Sequence, residues 1–172
     1  PQFYLPGPWE SQNPTLLTPE VAHHLRVRRI QIGEHFPVFD GKGQIAQAEL
    51  LSLSGKAGQA QLRDIRTDTH RETPYAITLA QGLAGGDKMD WIIEKSVETG
   101  IQIIAPIQCE RSILKLTRSS DQERAQKRLA HWQGIVQAAC EQCDRTVFAA
   151  LEPIQTFESY LKANAKPALK LL

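Results

Sequence analysis

The sequence predicts an α/β protein built in two parts, a small β-barrel followed by a parallel α/β domain. Two observations carry that expectation. Residues 1 to about 70 offer several short strand candidates joined by tight turns, as small barrels do. From "YAITLAQGL" onward, strand candidates alternate with helices, which is the pattern of βαβ units and a parallel sheet. The change falls in "RTDTHRETP", residues 66–74, a polar stretch ending at Pro74 that reads as a linker. The domains are accordingly placed at 1–70 and 71–172.

Each element has a local reason. "FYL" is a short strand candidate. "TPEVAHHLRV" is a brief helix, with Thr18 as its N-cap and Pro19 at the first helical position. "HFPVFDGKGQIAQAELLSL" gives two strands around the turn signal Asp40-Gly41-Lys42-Gly43. "GQAQLRDIRT" alternates apolar and polar residues, as a strand with one wet face does. In the second part "YAITLAQGL" is a strand. "GGDKMDWIIEKSVETG" is a helix, with Asp87 as N-cap, Met89, Ile92, Ile93 and Val97 on one face, and Gly100 as its stop. "IQIIAPIQC" is a nearly continuous apolar run, as expected of a strand buried on both faces. A long helix over 121–143 follows, then a strand "TVFAAL", a helix "TFESYLKANA" and the start of a strand, "ALKLL".

Composition sets the broad class. No apolar run approaches the roughly 18 residues of a membrane span. The opening "PQFYLPGPWE" lacks the layout of a signal peptide, and the cysteine count is an odd three. Both point to a reducing, cytoplasmic setting. Net charge is only +1, so bulk electrostatics announce no nucleic-acid binder. The distribution says more: "HHLRVRRIQ" sets Arg26, Arg28 and Arg29 beside His23 and His24. Such a patch is either a solvated charged stretch or a grip on a phosphate backbone.

Cys140 and Cys143 form a C-x-x-C pair at the end of the long helix. Ala125, Leu129, Trp132, Val136, Ala139 and both cysteines recur in steps of three and four, one apolar stripe. Zinc needs about four ligands, and only Cys109 and an off-stripe His131 remain as candidates. A redox pair belongs at a helix start, where the dipole lowers the thiol pKa. The core reading is preferred, no metal is assigned, and a metal or redox role is the minor alternative. "GLAGGDK", which ends in Lys88, lies between a strand and a helix; it is either an anion cradle or a tight turn. Glu110, Arg111 and Ser112 lie past the carboxyl end of a central strand, where parallel sheets bind ligands. They form either a ligand cluster or a salt-bridged loop with Ser112 capping a turn.

Taken together, "HHLRVRRIQIGEHFPVFDGKG", "QGLAGGDKMDWIIEKSVETGIQIIAPIQCERSILKL" and "KRLAHWQGIVQAACEQCDR", in that order, resemble the ribosomal RNA small subunit methyltransferase E family of the SPOUT superfamily. The resemblance covers nearly the whole chain. It implies a PUA-like barrel that grips RNA, then a SPOUT α/β domain with a trefoil-knotted region. It implies transfer of a methyl group from S-adenosylmethionine to N3 of a uridine in small-subunit ribosomal RNA, by a homodimer. Arg26, Arg28 and Arg29 become RNA-backbone contacts. Arg111, in the E-R-S segment with Glu110 and Ser112, becomes the candidate that stabilises the uracil anion. Lys88 falls in the first catalytic-domain motif, and Glu141, Gln142 and Arg145 form E-Q-x-x-R. Two positions depart from the pattern: Asp144 stands where Gly is usual, and Gln2 where a basic residue is common. The family's G-P-E-G-G loop and the arginine-bearing segment after it, which form most of the cofactor pocket and the knot, have no counterpart within 1–172. The chain is therefore expected to be cut short before the knot motifs, with its cofactor-binding residues unassigned. The alternative is a non-catalytic RNA-binding and dimerising fragment.

Overall fold

The structure, a computed structural model, describes residues 1–110, 112 and 119–164. It divides into two compact units: Pro1–Pro74 with Gln137–Phe148, and Tyr75–Val136 with Ala149–Leu172.

In the first unit β1 (Phe3–Tyr4), β2 (Thr15–Leu16), β3 (His35–Phe39), β4 (Gln44–Ser54) and β5 (Ala57–Thr67) form one five-stranded sheet in the order β1-β3-β4-β5-β2. Neighbours are antiparallel except β1 with β3. Alternation decides the faces: Ala46, Ala48 and Leu50 of β4 and Ala60 and Leu62 of β5 are buried in one cluster. Two register shifts between β4 and β5 bend the long strands, so the sheet curls around that core. The helix α1 (Pro19–Val27) adds Val21 and Leu25 to it. Each large aliphatic side chain buried this way contributes about 1.5–3 kcal/mol. Thr18 caps α1 as expected, its hydroxyl accepting from the Val21 amide at 3.3 Å.

The β3–β4 turn forms at the expected residues. Asp40 Oδ1 accepts from the amides of Lys42 (2.7 Å) and Gln44 (2.9 Å), and Gly41 holds φ 74°. A side chain at Gly41 would meet the Phe148 ring at 2.5 Å, so glycine is what lets that ring lie on the turn.

The second unit holds β6 (Thr78–Gly82), α2 (Lys88–Glu98), β7 (Ile103–Gln108), β8 (Ala150–Leu151), β9 (Gln155–Thr156) and α4 (Phe157–Ala163). Its sheet is wholly parallel, with β7 paired to β6 on one side and to β8 and β9 on the other. That position explains the continuous apolar run, and Ile104, Ala105 and Ile107 are buried. Met89, Ile93 and Val97 form the buried face of α2, which stops at Gly100, φ 89°. Asp87 does not cap α2: its backbone is already helical (φ −76°, ψ 0°) and its side chain bonds none of the helix's first amides. The long helix α3 runs Ser119–Cys143, with residues from Gln137 onward belonging to the first unit.

Two further expectations change. "TVFAAL" is not one strand. Val147 bridges to Lys42 in the first unit, and only Ala150–Leu151 joins the parallel sheet. "RTDTHRETP" is not a free linker, because Asp68 and Glu72 bond residues 145–147. The pair β2–β5 was not anticipated from so short a segment as Thr15–Leu16. The expected strand "ALKLL" lies outside the described residues.

Candidate nucleic-acid interface

The inward stripe of α1 is Val21, Ala22 and Leu25, so the helix periodicity sends His23, His24, Arg26, Arg28 and Arg29 to solvent. After the last turn, Arg29 donates its amide to the Arg26 carbonyl at 3.0 Å and Ile30 to that of Leu25 at 3.0 Å. Arg29 itself takes φ 58°, a left-handed conformation that usually falls to glycine at a helix C-terminus. The Arg28 guanidinium carbon lies 5.3 Å from the centre of the Phe3 ring, a cation–π contact that orients it. The three arginines expected to hold RNA therefore share one exposed helix end.

Beside them opens a cleft of about 360 Å³, lined by Gln2, Phe3, His24, Val27, Arg28, Ala138, Glu141 and Gln142 among others. The structure thus brings Arg28 together with Glu141 and Gln142, 113 and 114 positions later in the chain. Glu141 is partly a structural residue: its Oε1 accepts from the Tyr4 amide at 3.1 Å and from Gln137 Nε2 at 3.2 Å. Gln142 is exposed.

Arg145, the third residue of that motif, is buried at 3% exposure and lies away from solvent. Its Nε and Nη2 donate to Glu72 Oε2 at 3.0 and 2.7 Å. Glu72 Oε1 accepts from the amides of Thr146 and Val147, both at 3.3 Å. Gln2, also buried, donates from Nε2 to the Arg145 carbonyl at 2.7 Å. The departure at Gln2 thus serves packing within this unit. Asp144 keeps a left-handed turn, φ 59°, in the absence of glycine, with its carboxylate 3.7 Å from Arg71 Nη1. Nearby, Asp68 sits below the usual carboxylate range, chiefly because the His70 ring bonds its carboxylate.

The cysteine pair follows the apolar stripe. Cys140 is buried with its thiol donating to the Val147 carbonyl at 3.8 Å, and Cys143 is half-buried. His131 is off the stripe and exposed; it shares the Asp90 carboxylate with the indole N–H of Trp132, at 2.7 and 3.0 Å. In the α/β unit Lys88 is the exposed first residue of α2 and Glu110 is an exposed turn residue. Ser112 is buried, and its hydroxyl accepts from the Cys109 amide at 2.9 Å, closing the turn after β7. Arg111 lies outside the described residues.

Comparison with known proteins now bears on this geometry. The RNA methyltransferase domain profile matches residues 71–172, and the RNA methyltransferase PUA domain profile matches residues 17–63. This chain belongs to the RNA methyltransferase family that includes the ribosomal RNA small subunit methyltransferases E. The family member from Bacillus subtilis is 33% identical over 147 residues, covering 85% of this chain and 56% of its own length. That from Synechocystis is 33% identical over 153 residues, covering 89% and 47%. The chain thus spans about half the length of these curated relatives. A solved ribosomal RNA small subunit methyltransferase E from Neisseria gonorrhoeae, bound to S-adenosylmethionine, is 37% identical with a TM-score of 0.85. It covers 98% of this chain, and this chain covers 66% of it. A putative methyltransferase from Legionella pneumophila, also with S-adenosylmethionine, is 29% identical with a TM-score of 0.86, covering 99% and 68%. The family's architecture, a PUA-like sheet and a SPOUT-type parallel α/β unit, is the one described above.

A cofactor of that kind needs partners for an adenine, a ribose diol and an amino-acid group. The described residues at the carboxyl edge of β6 and β7 are engaged with one another: Gln81 Nε2 donates to the Gly82 carbonyl at 2.8 Å, and Leu83 donates its amide to that of Ile107 at 2.9 Å. The sequence pointed to the α1 arginines, whose charge is dense and local. It gave no signal for Phe3 beneath Arg28 or Glu72 beneath Arg145, because those pairings join segments far apart in the chain.

Proposed function

We propose that this chain acts as an S-adenosylmethionine-dependent methyltransferase on N3 of a uridine in small-subunit ribosomal RNA, as a homodimer in the cytoplasm. One observation carries the reading: a unit matching the RNA methyltransferase PUA domain exposes Arg26, Arg28 and Arg29 at one helix end, in a chain that also matches the methyltransferase domain. Among the described residues no helix is long and apolar enough to cross a membrane. Self-association is supported by apolar side chains left in solvent in the α/β unit, among them Tyr75 at 75% and Trp91 at 63% exposure.

Transfer to N3 requires that nitrogen to lose its proton and the base to be held out of its stack. The α1 arginines hold the backbone through phosphate contacts, which position the RNA without reading it. Arg111 is the proposed cation beside the developing uracil anion, where a fixed charge stabilises negative charge best. S-adenosylmethionine supplies the methyl group when bound. Truncation of Arg111 to alanine is expected to lower turnover about 10²–10³-fold with folding retained; wild-type turnover would remove it from the site.

The test is methyl transfer by this chain to small-subunit ribosomal RNA, followed by nucleoside analysis. N3-methyluridine is the expected product, and a methyl group on another atom would overturn the assigned position. A second reading is RNA binding and dimerisation without catalysis. Equilibrium binding of S-adenosylmethionine separates the two. Micromolar affinity supports the enzyme, and no binding supports the second reading.

A further inference from the structure

The proposal that this chain binds RNA accounts for the charged end of α1 but leaves the cleft beside it without a role. Phosphate contacts need no cavity. The cleft's volume of about 360 Å³ falls within the range of small-molecule sites. Its lining mixes three chemistries. Val27 is 68% exposed, an apolar side chain kept in solvent at the cleft wall, and Ala138 lines it too. His24 and Arg28, four residues apart on one helix face, add an imidazole ring and a planar guanidinium. Glu141 and the exposed Gln142 add a carboxylate and an amide.

Apolar walls, flat polar groups and an amide are what an unpaired nucleobase requires. Its faces lie on aliphatic carbon, imidazole or guanidinium, and its edge takes hydrogen bonds. An amide donates and accepts side by side, matching a base edge where N–H and C=O are neighbours. The base's own phosphates then fall toward Arg26, Arg28 and Arg29. The guanidinium of Arg28 is already held over Phe3 at 5.3 Å, so less side-chain entropy is lost when a ligand arrives.

Arg29 ends the helix next to Arg28. It occupies a left-handed position, φ 58°, where a side chain is disfavoured and glycine is the usual solution.

We propose that the cleft between α1, β1 and the last turns of α3 holds one unpaired RNA base, with Gln142 at its edge, Val27, His24 and Arg28 against its faces, and the arginine rim on its phosphates. The inference rests on the RNA-binding reading and deepens it.

The experiment measures equilibrium binding of the 172-residue chain to three RNAs: a short single strand, the same strand in a duplex, and the same strand made of abasic nucleotides. The intact single strand is expected to bind about tenfold tighter than either of the others. Gln142→Ala and Val27→Ser are each expected to weaken it about fivefold, while leaving abasic binding and the salt slope unchanged. Equal affinity for intact and abasic strands, or wild-type affinity in the Gln142→Ala, Val27→Ser double variant, would overturn the base site and leave RNA binding standing. Failure to bind any of the three RNAs would overturn both.

Discussion

Two helices end within the first unit by the same kind of turn and lead into different surroundings. After α1, Arg29 turns the chain with φ 58°; after α3, Asp144 does so with φ 59°. Neither is glycine, so both turns are made at a cost of about 1 kcal/mol or more. At the end of α1 the arginines stand in solvent beside an open cleft. At the end of α3 the next residue, Arg145, is buried against Glu72. The same residue type thus stands in solvent at one helix end and forms a structural lock at the other. The difference is the long-range partner, a carboxylate 73 positions away.

The largest expected effect probes the lock. Arg145→Ala leaves the largely buried Glu72 carboxylate without its charged partner and is expected to cost about 3–5 kcal/mol in denaturant unfolding. Arg28→Ala, on an exposed side chain, is expected to change stability by no more than about 0.5 kcal/mol. If the two variants unfolded alike, the contrast between the helix ends would be lost.

Replacing the turn residues sharpens it. Both Arg29→Gly and Asp144→Gly relieve a left-handed side chain and are expected to raise stability by about 1 kcal/mol. Only Arg29→Gly is expected also to weaken RNA binding. An Arg29→Gly protein that gained stability and bound RNA as before would show that the arginine had no functional reason to be there.

The smallest effect is a titration. Asp68 is held low by its bond from His70, so it titrates below the ordinary carboxylate range in the folded protein. A depressed folded pKa means stability that is present above the unfolded value and lost as pH falls through the folded one. The group is solvent-screened, so the contribution is small. An NMR titration should show the depressed value in the wild type and its return toward normal in His70→Ala.

The fold was legible wherever a local rule decided it. Thr18 and Pro19 opened α1, Gly41 and Gly43 turned the β3–β4 hairpin, and the apolar run over β7 announced a strand buried on both faces. It was illegible where tertiary contacts overrode local pattern. "TVFAAL" has the composition of one strand, yet Val147 bridges to Lys42 while Ala150 pairs with Ile103. Asp87 has the right identity for an N-cap, but its backbone is helical. The candidate site divided along the same line. Clustered charge marked Arg26, Arg28 and Arg29 as candidates, whereas the places of Glu141, Gln142 and Arg145 depended on β1 and Glu72, which no spacing connects to them.

The central claim is that the end of α1 carries RNA. Its most direct test is the salt dependence of equilibrium binding to single-stranded ribosomal RNA by the wild-type chain and Arg28→Ala. Each phosphate contact contributes about 0.7 to the slope of log affinity against log salt for a single strand. The account predicts weaker binding and a slope shallower by about that amount in the variant. An unchanged affinity and slope would contradict it.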